Sequence, residues 1–226
     1  MTTQEFSNEM DTLLRSFSSS TSTKGDLVLD EYEKSVLLTQ AQEEIIKGLY
    51  TGGLTGESFE ETEFLRRSLD KLVETLKIKD FKEDSELSLV DDSRFCEIPE
   101  NVWFITFEQA KVTNSSKEFI VEIIPVRQDE WHRLKNNPFK MPNKNKAIRL
   151  DSGSNFVELI SNYTITEYTL KYLKKPSPII LVDLPNELSI NGIREITECE
   201  LNSALHRIIL ERAVQLAYKN YSQANK

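Results

Sequence analysis

Apolar residues recur at helical spacing at both ends of the chain. Near the start, successive apolar positions are four, three, one and three residues apart, which predicts an amphipathic helix carrying Phe6, Met10, Leu13, Leu14 and Phe17. Near the end, large aliphatic residues return every three or four positions, on a face that contains Leu205, Ile208, Ile209 and Leu216. His206, Arg207, Glu211, Gln215 and Lys219 are expected on its polar side. An apolar face of this size must be buried, so the C-terminal helix is expected to pack against another element.

The first 25 residues are predicted to form an N-terminal arm. The helix is followed by a run of serine and threonine at 18–23, a composition typical of a flexible linker. The arm could dock on a neighbouring subunit, which makes Phe6, Met10, Leu13, Leu14 and Phe17 a candidate assembly interface. It could equally pack on its own chain, and the sequence leaves both interpretations open.

Residues 26–80 are predicted to be helical. Asp30 is a suitable N-cap for a short helix over 31–38, and Thr39 begins a second capping pattern whose helix ends near Gly52. A third start signal lies at 58–61. Leucines then follow at Leu65, Leu69, Leu72 and Leu76, a spacing that favours an antiparallel helical pair. The N-terminal third is therefore expected to be helical.

Residues 81–226 are predicted to form a β-rich body that ends in the C-terminal helix. A brief capped helix is expected over 129–134. Alternating, β-branched and aromatic segments predict six or seven strands, at 87–90, 102–107, 118–124, 147–150, 155–160, 163–173 and 179–182. Strands that follow one another between helical blocks indicate an α+β fold: N-terminal helices, a central mostly antiparallel sheet or sandwich, and a long C-terminal helix. One domain overall is expected.

The charge of the chain argues against a protein that wraps nucleic acid. It carries 37 acidic and 28 basic residues, a net charge of −9, whereas phosphate neutralisation needs a surplus of Lys and Arg. One basic loop stands out over 135–149, with Lys135, Lys140, Lys144, Lys146 and Arg149. This loop is either a solvated excursion or a contact to DNA or to an acidic partner. The longest apolar runs are too short to cross a bilayer, and no secretory signal is recognised, so no membrane partner is expected.

The sequence contains no recognisable catalytic or metal-binding pattern. His132 and His206 are isolated, and Cys96 and Cys199 lack the spacing of metal ligands. Cys96 could act as a nucleophile only with help from a distant histidine, and its apolar neighbours favour a core position. No glycine-rich phosphate loop is present. We therefore expect no enzymatic activity, no cofactor and no metal, and a protein whose task is assembly.

Six stretches that together span most of the chain carry a resemblance to a known family. They are 1–14, 29–43, 59–69, 137–143 with its two prolines, 168–181 with the core Lys-Tyr-Leu-Lys-Lys-Pro at 171–176, and 199–217. These stretches resemble a structural protein of crAss-like and related short-tailed bacteriophages of gut Bacteroidales.

The resemblance implies a ring or adaptor component of the head–tail connector below the portal. Such a protein would form a cyclic homo-oligomer, expected to be twelvefold, around the DNA channel in the virion. It would contact the portal and neighbouring tail or ring proteins. The terminal helices would then be natural inter-subunit elements, and an acidic inner wall would not grip the DNA it conducts. Other virion roles (tail hub, scaffold or cargo) remain alternatives, as does a nucleic-acid-binding or regulatory module that uses the loop 135–149.

Overall fold

The computed structural model describes residues 1–20, 27–52, 63–82, 93–115, 117–135, 137, 139–153 and 155–224. These residues form two compact units. The helical unit contains Met1–Leu72 and Pro176–Lys226, and the sheet unit contains Val73–Lys175. The segment boundaries predicted at 25 and 80, and the expectation of one domain, stay predictions.

The elements confirm an α+β fold with helices at both ends and a β-rich centre. The helices are α1 (Thr3–Ser20), α2 (Glu31–Thr51), α3 (Glu63–Leu69), α4 (Gln128–Leu134) and α5 (Ser203–Ala224). The strands are β1 (Val73–Ile78), β2 (Arg94–Glu97), β3 (Val102–Asn114), β4 (Lys117–Val126), β5 (Lys146–Gly153), β6 (Phe156–Ile160) and β7 (Thr164–Lys174). The start signal predicted at 58–61 and the strand predicted at 87–90 lie outside the described residues.

Helix α2 begins and ends where its capping signals predict. The Asp30 side chain accepts a hydrogen bond from the backbone N–H of Glu33 at 2.7 Å, and the Glu33 carboxylate accepts one from the N–H of Asp30 at 3.0 Å. At the other end Gly52 adopts a left-handed conformation with φ of 71°. Only glycine takes this conformation without a steric cost, so the helix stops there.

The predicted division of this segment into two helices at Thr39 is wrong. Helix α2 runs without a break through Thr39. The Thr39 hydroxyl accepts a hydrogen bond from the backbone N–H of Ile179 at 3.0 Å instead of capping a helix. A Ser or Thr inside a helix can serve a neighbouring segment in this way, and the local pattern does not distinguish the two uses.

The strand predicted at 179–182 is also wrong. The segment makes only an isolated bridge between Ile180 and Thr197. Side chains of α2 bind further backbone groups in and next to this segment: Ser35 accepts from the N–H of Leu181 at 3.0 Å, and Gln42 donates to the carbonyl of the preceding Ser177 at 2.9 Å. Buried backbone groups need a partner, and here a helix supplies it in place of a neighbouring strand.

The apolar face of α5 is wider than predicted and rotated. Leu210 and Val214 are buried along with Leu205 and Ile209, whereas the side chain of Ile208 is 44% exposed. His206, which we expected on the polar side, is buried. Helix α5 packs against both α1 and α2, so two of its sides are covered and the polar side is narrow.

The leucine repeat does not continue as a helix. Helix α3 ends at Leu69, a 3₁₀ turn covers Asp70–Leu72, and β1 follows at once. In β1, Leu76 pairs with Leu170 of β7. The predicted antiparallel helical pair is therefore wrong over its second half. The β-branched residues Val73, Thr75 and Ile78 favour a strand, and pairing with β7 decides in favour of it.

The described strands of the sheet unit form one seven-stranded sheet, with the order β1-β7-β3-β4-β5-β6-β2. Every neighbouring pair is antiparallel except β4 and β5, which are parallel. The predicted hairpin between β3 and β4 is confirmed and turns at Ser115, whose φ is 54°. The predicted, mostly antiparallel sheet is confirmed.

Both faces of this sheet carry apolar clusters. One face holds a core of Cys96, Ile98, Ala110, Val112, Val121, Ile123, Ala147, Val157, Leu159, Ile165, Tyr168, Leu170 and Tyr172. The other face holds a second cluster, in which Trp131 of α4 packs with Ile148, Leu150 and Ile160. Helix α4 therefore belongs to the sheet unit, and the connection that contains it links the parallel strands β4 and β5.

Candidate functional site

Helix α1 packs on its own chain. Of the five residues of the candidate assembly interface, Phe6, Met10 and Leu14 are fully buried, and Leu13 is half-buried. Phe17 remains 41% exposed, and its ring lies 5.7 Å from that of Tyr218 in α5. Most of the predicted interface is thus inside the helical unit, and Phe17 is the part that stays accessible.

A buried lysine ties α1 to α2. The Lys34 ammonium lies 2.8 Å from the Asp11 carboxylate of α1 and 2.9 Å from the Glu31 carboxylate of its own helix. Burial lowers the pKa of Lys34, but the hydrogen bonds with Asp11 and Glu31 outweigh it, so the pKa is raised overall. The lysine stays charged, and the pair holds α1 in place.

His206 has a structural environment. Its Nε2 lies 3.2 Å from the carbonyl oxygen of Leu201, and its Nδ1 lies 2.9 Å from the amino group of Met1. The ring also contacts that of Phe6, with centroids 5.2 Å apart. Burial lowers the pKa of His206. The neutral imidazole therefore joins the start of α5 to the start of α1.

The basic loop keeps its lysines accessible but not its arginine. Lys135, Lys140 and Lys144 are exposed, Lys146 is half-buried, and Arg149 is buried in the sheet unit. Within the described part of the chain, the three exposed lysines have no carboxylate within ion-pair distance. These three lysines are therefore available for contact with an acidic partner, whereas Arg149 forms an ion pair with Glu108.

Arg149 belongs to a buried polar cluster that joins three strands. It forms an ion pair with Glu108 of β3, and the Tyr168 hydroxyl of β7 donates to the same carboxylate. The Asp151 carboxylate lies 3.1 Å from the guanidinium. Burial, followed by the charge of Glu108, raises the pKa of Tyr168, so its hydroxyl remains a donor. The buried charges of Arg149 and Glu108 are paired within the cluster, as expected of a structural element, but the Nε of Arg149 makes no hydrogen bond among the described residues.

The two cysteines are free and unactivated. Burial raises the pKa of Cys96 to about 12 and that of Cys199 to about 11. A thiol is nucleophilic as its thiolate, so neither sulfur is poised for catalysis near neutral pH. Cys96 lies in the core of the sheet unit, as its apolar neighbours predict. Among the described residues no three His, Cys, Asp or Glu side chains are placed to hold a metal ion.

An apolar groove lies between the start of α2 and the end of α5, and the sequence analysis missed it. We name it the α2–α5 groove. It measures about 450 Å³. Its walls include Leu27, Leu29, Tyr32, Val36, Leu37 and Tyr221. Glu33 lies at its edge.

Phe139, in the basic loop, is a second candidate contact residue that was not predicted from the sequence. With 87% of its side chain exposed, Phe139 is the most exposed large hydrophobic residue of the described chain. Its position between a proline and a lysine in a polar loop indicates an exposed aromatic side chain, because the neighbouring residues supply no apolar cluster to bury it. No helix among the described residues is long and apolar enough to span a membrane.

The exposed Phe139 and the α2–α5 groove are surfaces through which a protein can contact other chains. The family model for phage tail ring protein 3/4 matches residues 1–226, and the chain belongs to this family. Its place among structural ring proteins implies a role in the virion, and the family resemblance predicted from the six stretches is confirmed.

Two relatives from Bacteroides phage crAss001 match almost over their full length. Ring protein 3 of that phage is 46% identical over 229 residues, which cover 99% of this chain and 97% of the relative. Ring protein 4/5 is 36% identical over 234 residues, which cover 98% of this chain and 94% of the relative. The similarity therefore extends to both compact units.

Proposed function

We propose that this protein forms a ring of identical subunits in the head–tail connector, below the portal and around the DNA channel, without enzymatic activity. The observation that carries the proposal is the near full-length similarity to two proteins that are both named ring proteins. The portal and the adjoining ring or tail proteins are the proposed partners. Twelve subunits are proposed because a ring stacked on the portal would match its symmetry.

The distribution of charge supports a role beside DNA without tight binding to it. The helical unit contains 20 acidic and 12 basic residues, whereas the sheet unit contains 17 and 16. A surplus of negative charge repels the phosphate backbone. A channel wall with this property would let DNA pass.

Of the five apolar residues of the candidate assembly interface on α1, Phe17 is the one that is exposed and available to such an assembly. The Phe17 ring contacts Tyr218, and Tyr221 follows one helical turn later at the wall of the α2–α5 groove. We propose that this strip, rather than the buried Phe6, Met10 and Leu14, is the part of the candidate assembly interface that meets other chains.

Native mass spectrometry and negative-stain imaging test the ring directly. We expect twelve-subunit rings of the purified protein, either alone or after addition of the portal and the adjoining ring proteins of the same phage. A protein that stays monomeric and also binds none of these partners contradicts the proposal. A ring with another subunit number contradicts only the twelvefold part.

DNA contact by the basic loop is the second candidate function, because Lys135, Lys140 and Lys144 are exposed without a carboxylate partner in the described chain. On this hypothesis the protein binds duplex DNA in a salt-dependent way, and Lys140→Glu with Lys144→Glu abolishes that binding. Lys77→Glu with Lys79→Glu on and after β1 gives the same change in net charge and is the matched control. Fluorescence anisotropy at several salt concentrations measures the binding. Equal binding by both double variants excludes the loop as the DNA contact.

A further inference from the structure

We propose that Phe139 of one subunit inserts into the α2–α5 groove of the next subunit in the ring. The inference rests on the proposed ring, and it names the surfaces through which identical copies meet. The occupant of the groove is thus a second copy of this chain.

The loop that carries Phe139 presents it in a fixed way. The side-chain oxygen of Asn137 accepts a hydrogen bond from the N–H of Phe139 at 3.0 Å. The backbone carbonyl of the same residue accepts from Lys140 at 3.0 Å and from Met141 at 3.2 Å. Met141 in turn packs against the cluster around Trp131. A loop backbone that is already ordered loses less conformational entropy when its side chain binds, which favours the use of Phe139 as an anchor.

The groove has the size and composition to receive this ring. At about 450 Å³ it lies within the range of pockets that hold small organic molecules, and its walls are largely aliphatic and aromatic. Val28, between the two groove residues Leu27 and Leu29, is 83% exposed. Phe139 and Val28 are the two most exposed large hydrophobic side chains of the described chain. A contact of this kind would take the Phe139 ring out of water, beside the segment that carries Val28.

The charges beside the two surfaces are opposite. Lys135, Lys140 and Lys144 accompany Phe139, whereas Glu33 lines the groove and Asp30 directly follows the groove residue Leu29. These two carboxylates cap α2, but neither has a basic side chain within ion-pair distance in the described chain. Opposite charges at the edge of an interface steer association and fix its register. The opposite charges therefore favour insertion of Phe139 into this groove over its docking on an apolar surface without neighbouring charges.

Different surfaces on the two partners produce a ring. Phe139 lies in the sheet unit and the groove in the helical unit, so the contact is heterologous and each subunit can bind one neighbour on either side. Such contacts propagate around a closed ring, whereas a symmetric dimer needs a patch that binds itself. A heterologous contact is the kind that the proposed ring requires.

Duplex DNA is the less suitable partner for this loop. The lysines could bind the phosphates of duplex DNA without help from Phe139. An exposed phenylalanine adds binding energy chiefly by stacking on bases, and bases are accessible in single strands. A protein groove accommodates the ring and the lysines together. The DNA experiment described above separates the two partners.

Thiol cross-linking between two single variants tests the contact. Lys140→Cys, at the exposed position next to Phe139 and with its ring kept, and Val36→Cys proteins are mixed under assembly conditions, with portal if rings require it, and treated with a short bifunctional maleimide. We expect a covalent dimer from the mixture and none from either variant alone. Mixing excludes a link within one chain. The native thiols give little background, because Cys96 is buried, Cys199 is half-buried, and burial raises the pKa of both. Ile120→Cys, on an exposed position of β4, mixed with Val36→Cys is the matched control and should give no dimer.

A second variant keeps the test independent of the cross-linker. Phe139→Ser should fold normally, because the side chain touches little of its own chain, and should weaken association about 30-fold or more, as truncation of a central anchor does. Ile120→Ser should assemble like the natural protein. Rings that form without the cross-link, or with unchanged affinity in Phe139→Ser, overturn this contact and leave the proposed function standing. Absence of rings and of portal binding in the natural protein overturns the proposed function itself.

Discussion

Replacement of Ile209 by aspartate is expected to abolish soluble folding, or to lower the free energy of unfolding by more than about 4 kcal/mol. Ile209 is fully buried in α5. The substitution removes about 1.5–3 kcal/mol of apolar burial and adds a carboxylate without a partner in an apolar interior. The sum approaches the whole stability of an ordinary domain, which is about 5–15 kcal/mol. Soluble yield and urea denaturation followed by circular dichroism measure the effect.

Ile208→Asp is the matched control, one residue away with the same change in chemistry. Because Ile208 is partly exposed, its carboxylate can stay hydrated, and a loss below about 1 kcal/mol is expected. Equal effects of the two substitutions would mean that the two residues do not differ in burial. Normal yield and stability of Ile209→Asp would show that α5 is not packed in this way.

The second large effect is expected from Arg149→Met, which should destabilise the protein by about 3–5 kcal/mol. The substitution keeps the apolar length of the side chain but leaves the Glu108 carboxylate buried, with the Tyr168 hydroxyl as its remaining donor in the described cluster. Most of the loss comes from this uncompensated charge rather than from the bond itself. Thermal and chemical denaturation of the purified variant measure it.

A double variant separates the charge effect from packing. Glu108→Gln with Arg149→Met removes both charges, and the new amide oxygen can still accept from Tyr168, so most of the stability should return. Arg127→Met, which breaks the exposed ion pair with Asp129, should change stability by less than about 1 kcal/mol. If Arg149→Met has no larger effect than Arg127→Met, the buried cluster is not a stabilising element.

The candidate surfaces were only partly visible in the sequence. The exposed lysines of the basic loop could be predicted from the sequence, because a charged side chain in a polar loop is hydrated and needs no partner from elsewhere in the chain. Arg149 could not be separated from them, because its partner Glu108 lies 41 residues away on a strand that is not its neighbour in the sheet. The sequence shows that Phe139 lies in a polar loop, but its proposed role as an anchor depends on the α2–α5 groove. That groove combines residues from the two ends of the chain, Tyr32 and Tyr221 among them.

The sequence by itself determined the features that depend on residues a few positions apart. The Asp30 and Glu33 cap, the stop at Gly52, the β3–β4 hairpin and the class of fold follow from local patterns, and the six similar stretches indicated the family. Only the tertiary structure decided that 73–78 is a strand, that α1 packs on its own chain and that Ile209 rather than Ile208 is buried. A local pattern shows which faces are apolar, but the free energy of burial depends on what covers each face. The covering elements, such as β7 for β1 and α1 for α5, come from distant parts of the chain.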